Sequence, residues 1–389
     1  MATCLSCGRE LPAFTWGKST PFCRECQSRQ AAQAGPSAIS ATPAASTAFG
    51  ARISVTTILV GINIAVFAAM LLGGASLLEP TTQQLLKWGA NWGPLSLGTQ
   101  PWRMLTSNYV HIGIIHILLN MWCLLNLGRL AQRIFDAWTY VLLYTCCGLA
   151  GSLTSLWWHP MVVGAGASGA IFGLAGALIA VLYLGHLPVP RQAVRGTLQS
   201  LLMFAGYNLL FGLKAGVDNS AHVGGLVAGL TLGAVLSPKI AATPEVRESW
   251  SRSALAGMGV ILLVATIGLR YESGYHDVGP IQYSDIDAGP NGYKQLREKH
   301  YAEAIPLLQR FARLNPKSAD AHYLLGLAFA GAQRPDEAIA SFQRALQLEP
   351  TYADAQTGLG MAYADKGMAK EAADAYKKAA ELKGDGTSH

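Results

Sequence analysis

The stretch Gly164-Ala-Gly-Ala-Ser-Gly169 opens an apolar segment that runs to about Leu184, and the fold prediction starts from it. Its glycines and alanines form a small-residue face, which lets a second membrane helix approach closely. Another such face begins at Ala221-His-Val-Gly-Gly225 and continues through further glycines. Packing these two faces together would place Ser168 beside His222 and so pair a nucleophile with a base. In the alternative interpretation, the glycines serve packing alone and Ser168 only caps its helix.

The composition is typical of a polytopic membrane protein with soluble appendages. Of 389 residues, 51% are hydrophobic and only 13% are charged. The net charge of +6 fits basic residues in loops between membrane helices better than a nucleic-acid-binding surface. We therefore expect an all-α membrane protein with no nucleic-acid partner.

Seven apolar segments follow a polar N-terminal region, and several are slightly shorter than the roughly 20 residues that span a bilayer. They lie at 53–73, 106–127, 138–157, 167–184, 197–213, 221–237 and 254–270. The basic residues between them form two sets on opposite sides of the membrane. The larger set is Arg52, Arg129, Arg133, Arg191, Arg195, Lys239, Arg247 and Arg252, and the smaller is Lys87, Arg103, Lys214 and Arg270. The larger set is predicted to be cytoplasmic, with the N-terminus inside and the C-terminal tail outside.

This topology brings polar residues of three segments to one depth near the outer face. The second segment carries His111, His116 and Asn120, while Ser168 and His222 begin the fourth and sixth. Ionisable groups are costly inside a membrane, so their convergence indicates a functional site. His116 and Asn120 share a helical face and can donate hydrogen bonds to an oxyanion, together with the backbone N–H of Ser168. In the alternative, they form an interhelical hydrogen-bonded pair used for packing.

The first 27 residues contain two Cys-x-x-Cys pairs separated by 15 residues. These cysteines are Cys4, Cys7, Cys23 and Cys26. The spacing predicts a four-thiolate zinc ribbon with a structural zinc ion, since so short a segment needs the metal to fold. Two disulfides are the alternative in an oxidising compartment. Residues 28–50, rich in Ala, Ser, Gln and Pro, are predicted to be a flexible linker.

The tail at about 285–385 repeats with a period of 34 residues. Glu303, Glu337 and Glu371 follow this period, and Leu325-Gly326 recurs as Leu359-Gly360. The pattern resembles tetratricopeptide (TPR) repeats, in which each unit is a helix hairpin. We predict three repeats, the first degenerate, that stack into an α-solenoid with a groove for a protein or peptide partner. The alternative is a stabilising domain without a client.

Several stretches together resemble the rhomboid family of intramembrane serine proteases. They are Trp102-Arg103, His111-x4-His116-x3-Asn120, Gly166-Ala-Ser-Gly169-Ala-Ile-Phe-Gly173 and Ala221-His222-x-Gly-Gly225. The resemblance covers roughly 50–270. It implies that Ser168 is the nucleophile, that His222 is the general base, and that His116 and Asn120 form the oxyanion site. Phe172 stands where an aromatic packs on the catalytic imidazole.

Further features of the site follow from the same motifs. Gly166, Gly169 and His111 are expected to support the site. No Asp or Glu lies within the seven apolar segments, so a Ser-His dyad is predicted rather than a triad. The chain departs from the family at Gln132, where a glutamate is common, which puts a loop contact in doubt.

The predicted function is an intramembrane serine endopeptidase that cleaves single-span membrane proteins; the alternative is a catalytically silent rhomboid-like protein that binds membrane clients. We expect no cofactor for the chemistry. The predicted place is the bilayer of a bacterial inner membrane, with the TPR domain extracytoplasmic. The predicted divisions are a zinc-ribbon-like segment (1–27), a linker (28–50), a six-helix rhomboid core (51–240), a seventh helix with its preceding loop (241–271), a linker (272–284) and TPR repeats (285–385).

Overall fold

The computed structural model describes Cys26 and residues 53–185, 187, 191–212 and 218–385. The chain from Ser54 onward is one compact unit. Within these ranges the structure is helical and has no β-strand; one isolated bridge joins Asn91 to Gly164. Of the predicted zinc ligands, Cys4, Cys7 and Cys23 lie outside the described residues, as does the linker predicted at 28–50.

Seven long helices correspond to the seven predicted apolar segments. They are α1 (Val55–Leu72), α5 (Gly113–Ile134), α6 (Ala137–Trp158), α7 (Ser168–Leu184), α8 (Arg191–Phe211), α9 (Asn219–Leu236) and α10 (Pro244–Ser273). Three short helices lie in the loop after α1, namely α2 (Thr82–Lys87), α3 (Gly93–Ser96) and α4 (Arg103–Thr106). Among the described residues, α1, α5, α6, α10 and α9 continued to Lys239 are long and apolar enough to cross a membrane, and α7 is a shorter apolar helix.

Helix α7 lies at the centre of the bundle. Every residue from Gly169 to Leu182 is buried, so this helix has no lipid-facing stripe. Helix α9 packs along it at glycines: an added Cβ at Gly225 would lie 2.0 Å from the carbonyl oxygen of Gly169, and one at Gly229 would lie 2.0 Å from that of Gly173. Two backbones this close require glycine, as the small-residue faces predict.

The second apolar segment begins later than the sequence prediction of residue 106. Helix α5 starts at Gly113, because residues before it form the short helix α4 and a loop that buries His111. The departure at Gln132 does not remove a contact. Gln132 lies in the last turns of α5, and its Oε1 accepts a hydrogen bond from the backbone N–H of Thr56 at 2.8 Å. The glutamine thus satisfies a free N–H at the start of α1.

The segment predicted as a linker at 272–284 packs on the loop that precedes α5. Tyr275 and Val278 are buried in the main hydrophobic core. Arg103 is fully buried and donates from Nη1 to the carbonyl oxygens of Leu86 and Ala90. Its Nη2 donates to the Tyr283 hydroxyl at 3.1 Å. The tail is therefore joined to the membrane core by packed residues.

The tail forms three helix hairpins, in agreement with the predicted repeats. Their helices are α11 (Ala288–Arg297), α12 (Tyr301–Leu314), α13 (Ala319–Gly331), α14 (Pro335–Leu348), α15 (Ala353–Asp365) and α16 (Ala369–Asp385). The Phe342 ring is fully buried, and an added Cβ at Gly326 or Gly358 would lie within 2.7 Å of it. These glycines of α13 and α15 make room for one aromatic ring between neighbouring hairpins.

Candidate active site

Ser168 and His222 meet at the N-terminal ends of two packed helices. Ser168 is the first residue of α7, and His222 lies in the first turn of α9. The Nε2 atom of His222 is 2.9 Å from the Ser168 hydroxyl oxygen. His222 is buried and Ser168 is half-buried. The glycine contacts of α7 with α9 hold the two helices at the spacing that this hydrogen bond needs.

The imidazole of His222 stacks on an aromatic ring from α7. The Phe172 and His222 ring centroids are 4.3 Å apart with an interplanar angle of 10°. Phe204 of α8 packs on Phe172, and their ring centroids are 5.6 Å apart. Phe172 is one helical turn after Ser168, so its ring lies on the same face of α7 as the Ser168 hydroxyl.

His116 of α5 lies against the turn that leads into α7. The backbone N–H of Ile112 donates to His116 Nδ1 at 3.2 Å, so the neutral imidazole carries its proton on Nε2. An added Cβ at Gly166 would lie 2.9 Å from that Nε2 atom. Gly166 also has a φ of +130°, which side chains other than glycine rarely adopt. Gly166 is therefore needed for both the turn and the close approach of His116.

Asn120 and His111 surround His116. Asn120 is buried, and its Nδ2 donates to the carbonyl oxygen of His116 at 2.9 Å. His111 is fully buried, and its ring centroid is 5.3 Å from that of His116. Its Nδ1 donates to the carbonyl oxygen of Tyr109 at 3.2 Å. In the part of the chain that the structure describes, His111 Nε2 has no hydrogen-bond partner.

The N-terminus of α7 presents free backbone donors beside Ser168. The first N–H groups of a helix have no partner within it, and they carry the positive end of the helix dipole. The N–H of Ser168 is in this first turn. Gly169 lets α9 approach, because a Cβ there would lie 3.3 Å from the carbonyl oxygen of Ala221. The site thus brings together a hydroxyl group, an imidazole and hydrogen-bond donors, the groups that a serine nucleophile, a general base and an oxyanion site would need.

The sequence analysis did not identify two polar residues that precede His222, namely Asp218 and Asn219. Asp218 caps α9: its carboxylate accepts from the Ser155 hydroxyl at 2.5 Å, from the Ser220 hydroxyl, and from the backbone N–H of Ala221 at 3.2 Å. Asn219 Oδ1 lies 3.3 Å from Nδ1 of His222. The spacing could have indicated Asn219, because it lies three residues before His222 and residues three apart share a helical face.

Among solved structures, MamA from Desulfovibrio magneticus RS-1 aligns at 22% identity over 46% of this chain and 93% of that one. The TM-score is 0.25, a similarity too low to support an argument. The tetratricopeptide repeat family model matches residues 292–353 and 331–387. This agrees with the helix hairpins of the tail.

The helical core matches a different family. The Rhomboid domain model matches residues 98–239. Rhomboid protease GluP from Bacillus subtilis (strain 168) is 29% identical over 307 residues, which cover 71% of this chain and 57% of that protein. RHOMBOID-like protein 4 from Arabidopsis thaliana is matched over only 35% of its length. The matched part of this chain thus spans between about a third and just over half of the length of these two relatives.

Two further relatives are covered more completely. RHOMBOID-like protein 2 from Arabidopsis thaliana is 31% identical, with 59% of this chain and 72% of that protein aligned. Rhomboid protease AarA from Providencia stuartii is 30% identical, with 46% of this chain and 70% of that protein aligned. With the matched domain, the spanning helices and the motifs in their family order, the chain belongs to the rhomboid family of multi-pass membrane proteins.

Proposed function

We propose that this protein is an intramembrane serine endopeptidase that works through a dyad of Ser168 and His222. The observation that carries the proposal is the 2.9 Å contact between His222 Nε2 and the Ser168 hydroxyl. This distance lies within reach for direct proton transfer from the nucleophile to a general base. Two relatives, GluP and AarA, are named as rhomboid proteases, which supports the same reaction class.

In the proposed reaction, His222 takes the Ser168 proton while the serine oxygen attacks a peptide carbonyl. The carbonyl π electrons move to its oxygen and give a tetrahedral oxyanion. Its collapse expels the amine, which takes the proton from His222, and leaves an acyl-enzyme. Water then attacks the ester with His222 again as base, which releases the acid and restores Ser168.

We propose that three donors stabilise the oxyanion. They are the backbone N–H of Ser168, the Nε2–H of His116 and the amide of Asn120. The supporting observation is that the Ile112 N–H occupies Nδ1 of His116, which leaves Nε2 of the neutral ring as the donor. Losing one such donor typically lowers the rate on the order of 10²–10³-fold. We expect that loss for His116→Ala and Asn120→Ala; near-normal turnover by both would refute the assignment.

Phe172 is proposed to hold the imidazole of His222 by stacking. The parallel rings at 4.3 Å restrict rotation of the imidazole without adding a charged group. Gly166 and Gly169 would serve the site through close packing, and His111 by packing against His116.

The substrates are proposed to be single-span membrane proteins cut near the outer end of their helix. The asymmetry of Lys and Arg between the loops favours a cytoplasmic N-terminus and an extracytoplasmic TPR domain in a bacterial plasma membrane. The TPR groove would bind a protein or peptide partner. An alkaline phosphatase fusion after residue 385 should be active in intact cells; an inactive fusion of normal abundance would reverse the orientation.

A structural zinc ion is proposed for the N-terminal segment. Cys4, Cys7, Cys23 and Cys26 have the spacing of a four-thiolate site, and bound zinc would supply folding energy. Elemental analysis of the purified protein should find about one zinc per chain for four thiolate ligands. Cys4→Ser with Cys7→Ser should abolish it, and retained zinc would refute the site.

Cleavage of a model single-span substrate in liposomes tests the catalytic proposal. Wild type should cleave it and react with a fluorophosphonate, while Ser168→Ala and His222→Ala should do neither. Wild type that binds the substrate and is folded, yet neither cleaves nor labels, would instead favour the catalytically silent binder. Loss of labelling in Ser168→Ala is sufficient by itself to identify Ser168 as the nucleophile.

A further inference from the structure

Helix α8 makes a hydrogen bond to the side chain next to the imidazole of His222. Asn219 Nδ2 lies 2.9 Å from the backbone carbonyl oxygen of Leu209. A carbonyl oxygen only accepts hydrogen bonds, so the NH₂ group of Asn219 must face Leu209. The orientation of the amide is thereby fixed, although O and N of an amide are otherwise nearly interchangeable.

This orientation determines what the other end of the amide offers to His222. Asn219 Oδ1 faces His222 Nδ1 at 3.3 Å, and an amide oxygen can only accept. Nδ1 of the neutral imidazole must then carry the proton. Nε2 is left with its lone pair, 2.9 Å from the Ser168 hydroxyl. The base therefore has the tautomer that proton abstraction requires.

No carboxylate takes this position. Among the described residues, the nearest acid along α9 is Asp218, whose oxygens bond to Ser155, Ser220 and the N–H of Ala221. Asp218 thus caps the helix and leaves His222 Nδ1 to Asn219. Amides also take this part in cysteine proteases with a Cys-His-Asn arrangement.

We propose that Asn219 is a positioning residue that sets the tautomer of His222, and that Leu209 sets Asn219 in turn. The proposal rests on the proposed function of Ser168 and His222. Because Leu209 belongs to α8 and His222 to α9, the tautomer of the base depends on the contact between these two helices. A change in their spacing that breaks the hydrogen bond from Asn219 to Leu209 would weaken the control of this tautomer.

The end of α8 offers an independent way to disturb this relay. An added Cβ at Gly212 would lie 2.1 Å from Asn219 Oδ1 and 2.7 Å from its Cγ. Gly212→Ala must therefore push the amide away while leaving Asn219 and His222 in the sequence. Gly206→Ala is the matched control on the same helix, since nothing lies within 4 Å of a Cβ there.

Kinetics on a single-span substrate in liposomes test the proposal. Asn219→Ala should lower kcat about 10–100-fold, as expected for losing one buried hydrogen bond, with KM little changed. Asn219→Asp should recover part of kcat, because a carboxylate also accepts from Nδ1–H although it cannot donate to the carbonyl oxygen of Leu209. Gly212→Ala should resemble Asn219→Ala, and Gly206→Ala should match wild type. An unchanged kcat in Asn219→Ala, or equal defects in the Ala and Asp variants, would overturn the proposal.

A second readout does not depend on turnover. The ¹⁵N chemical shifts of histidine-labelled protein should show His222 protonated at Nδ1 in Ser168→Ala, and a tautomer mixture once Asn219→Ala is added. Tautomers unaffected by Asn219→Ala would refute the relay. If wild type proves inactive while the shifts behave as expected, the proposed function fails and the positioning role of Asn219 remains.

Discussion

Replacement of Gly225 by alanine should separate the two proposed catalytic residues. A Cβ at this position would sit 2.0 Å from the carbonyl oxygen of Gly169, with the Gly169 carbonyl carbon at 2.8 Å. Both obstacles are backbone atoms, so no side-chain rotation relieves the clash. A Cβ atom essentially never lies within 3.0 Å of a heavy atom outside its own residue and its chain neighbours. Helices α7 and α9 must therefore separate locally by about 1 Å or more.

The clash lies next to the two proposed catalytic residues. Gly169 follows Ser168 directly, and Gly225 is one turn beyond His222. A shift of this size would lengthen the 2.9 Å contact between His222 and Ser168 beyond hydrogen-bond range. Misplacement by 1 Å costs on the order of 10²-fold in rate. Overpacking of the helix pair should cost roughly 1–3 kcal/mol of stability.

The assay is fluorophosphonate labelling in liposomes with thermal unfolding measured on the same samples. Gly224→Ala is the graded comparison, because the nearest atom to its Cβ is the Thr154 hydroxyl oxygen at 2.2 Å, which belongs to a side chain. Gly257→Ala, with nothing within 4 Å, should match wild type. Gly225→Ala with wild-type labelling and an unchanged melting temperature would refute the claim that glycine contact sets the dyad distance.

Three other changes are predicted from single contacts. In thermal unfolding, Gln132→Glu should change the free energy of unfolding by less than about 0.5 kcal/mol, because a carboxylate would face the Thr56 N–H at the start of α1 but would lie at the C-terminal end of α5, where the helix dipole disfavours it. Tyr283→Phe should cost about 1–2 kcal/mol by leaving buried Arg103 with one fewer acceptor; faster proteolysis of this segment would show it. Burial lowers the pKa of His322 from 6.5. Its protonation therefore opposes folding, and the hydrogen-exchange protection factors of its helix should fall as pH drops below about 6.5 but not in His322→Asn.

The arrangement of Ser168 and His222 was predictable because it follows from helix geometry. Glycines at positions such as 169, 173, 225 and 229 mark matching faces, and matching faces dictate which helices touch. Ser168 and His222 stand at the starts of those faces, so the packing brings these two proposed catalytic residues together. The repeats of the tail were predictable for a similar reason, since a fixed period defines each hairpin.

Contacts between distant segments were not predictable from local pattern. Arg103 looked like a loop charge, yet it is fully buried against the carbonyl oxygens of Leu86 and Ala90 and the Tyr283 hydroxyl. Trp92 lies in the same loop and is also fully buried. Tyr283 lies 180 residues beyond Arg103, so no local pattern marks their contact. Asn219 was missed because its proposed role depends on the carbonyl of Leu209, and a backbone acceptor leaves no mark in the sequence.

The two groups proposed to orient His222, Phe172 and Asn219, are neutral, and the membrane setting gives a reason. A carboxylate beside the imidazole would stabilise the imidazolium of the proposed reaction, but an ionised acid at that depth carries a large desolvation cost. The stacked ring of Phe172 and the amide of Asn219 restrict the imidazole without that cost. The acid Asp218 lies at the helix cap, where two hydroxyls and a backbone N–H satisfy it. Without a carboxylate beside His222, more of the transition-state stabilisation would have to come from the oxyanion donors. Substitution of His116 or Asn120 should therefore lower the rate more than substitution of Asn219.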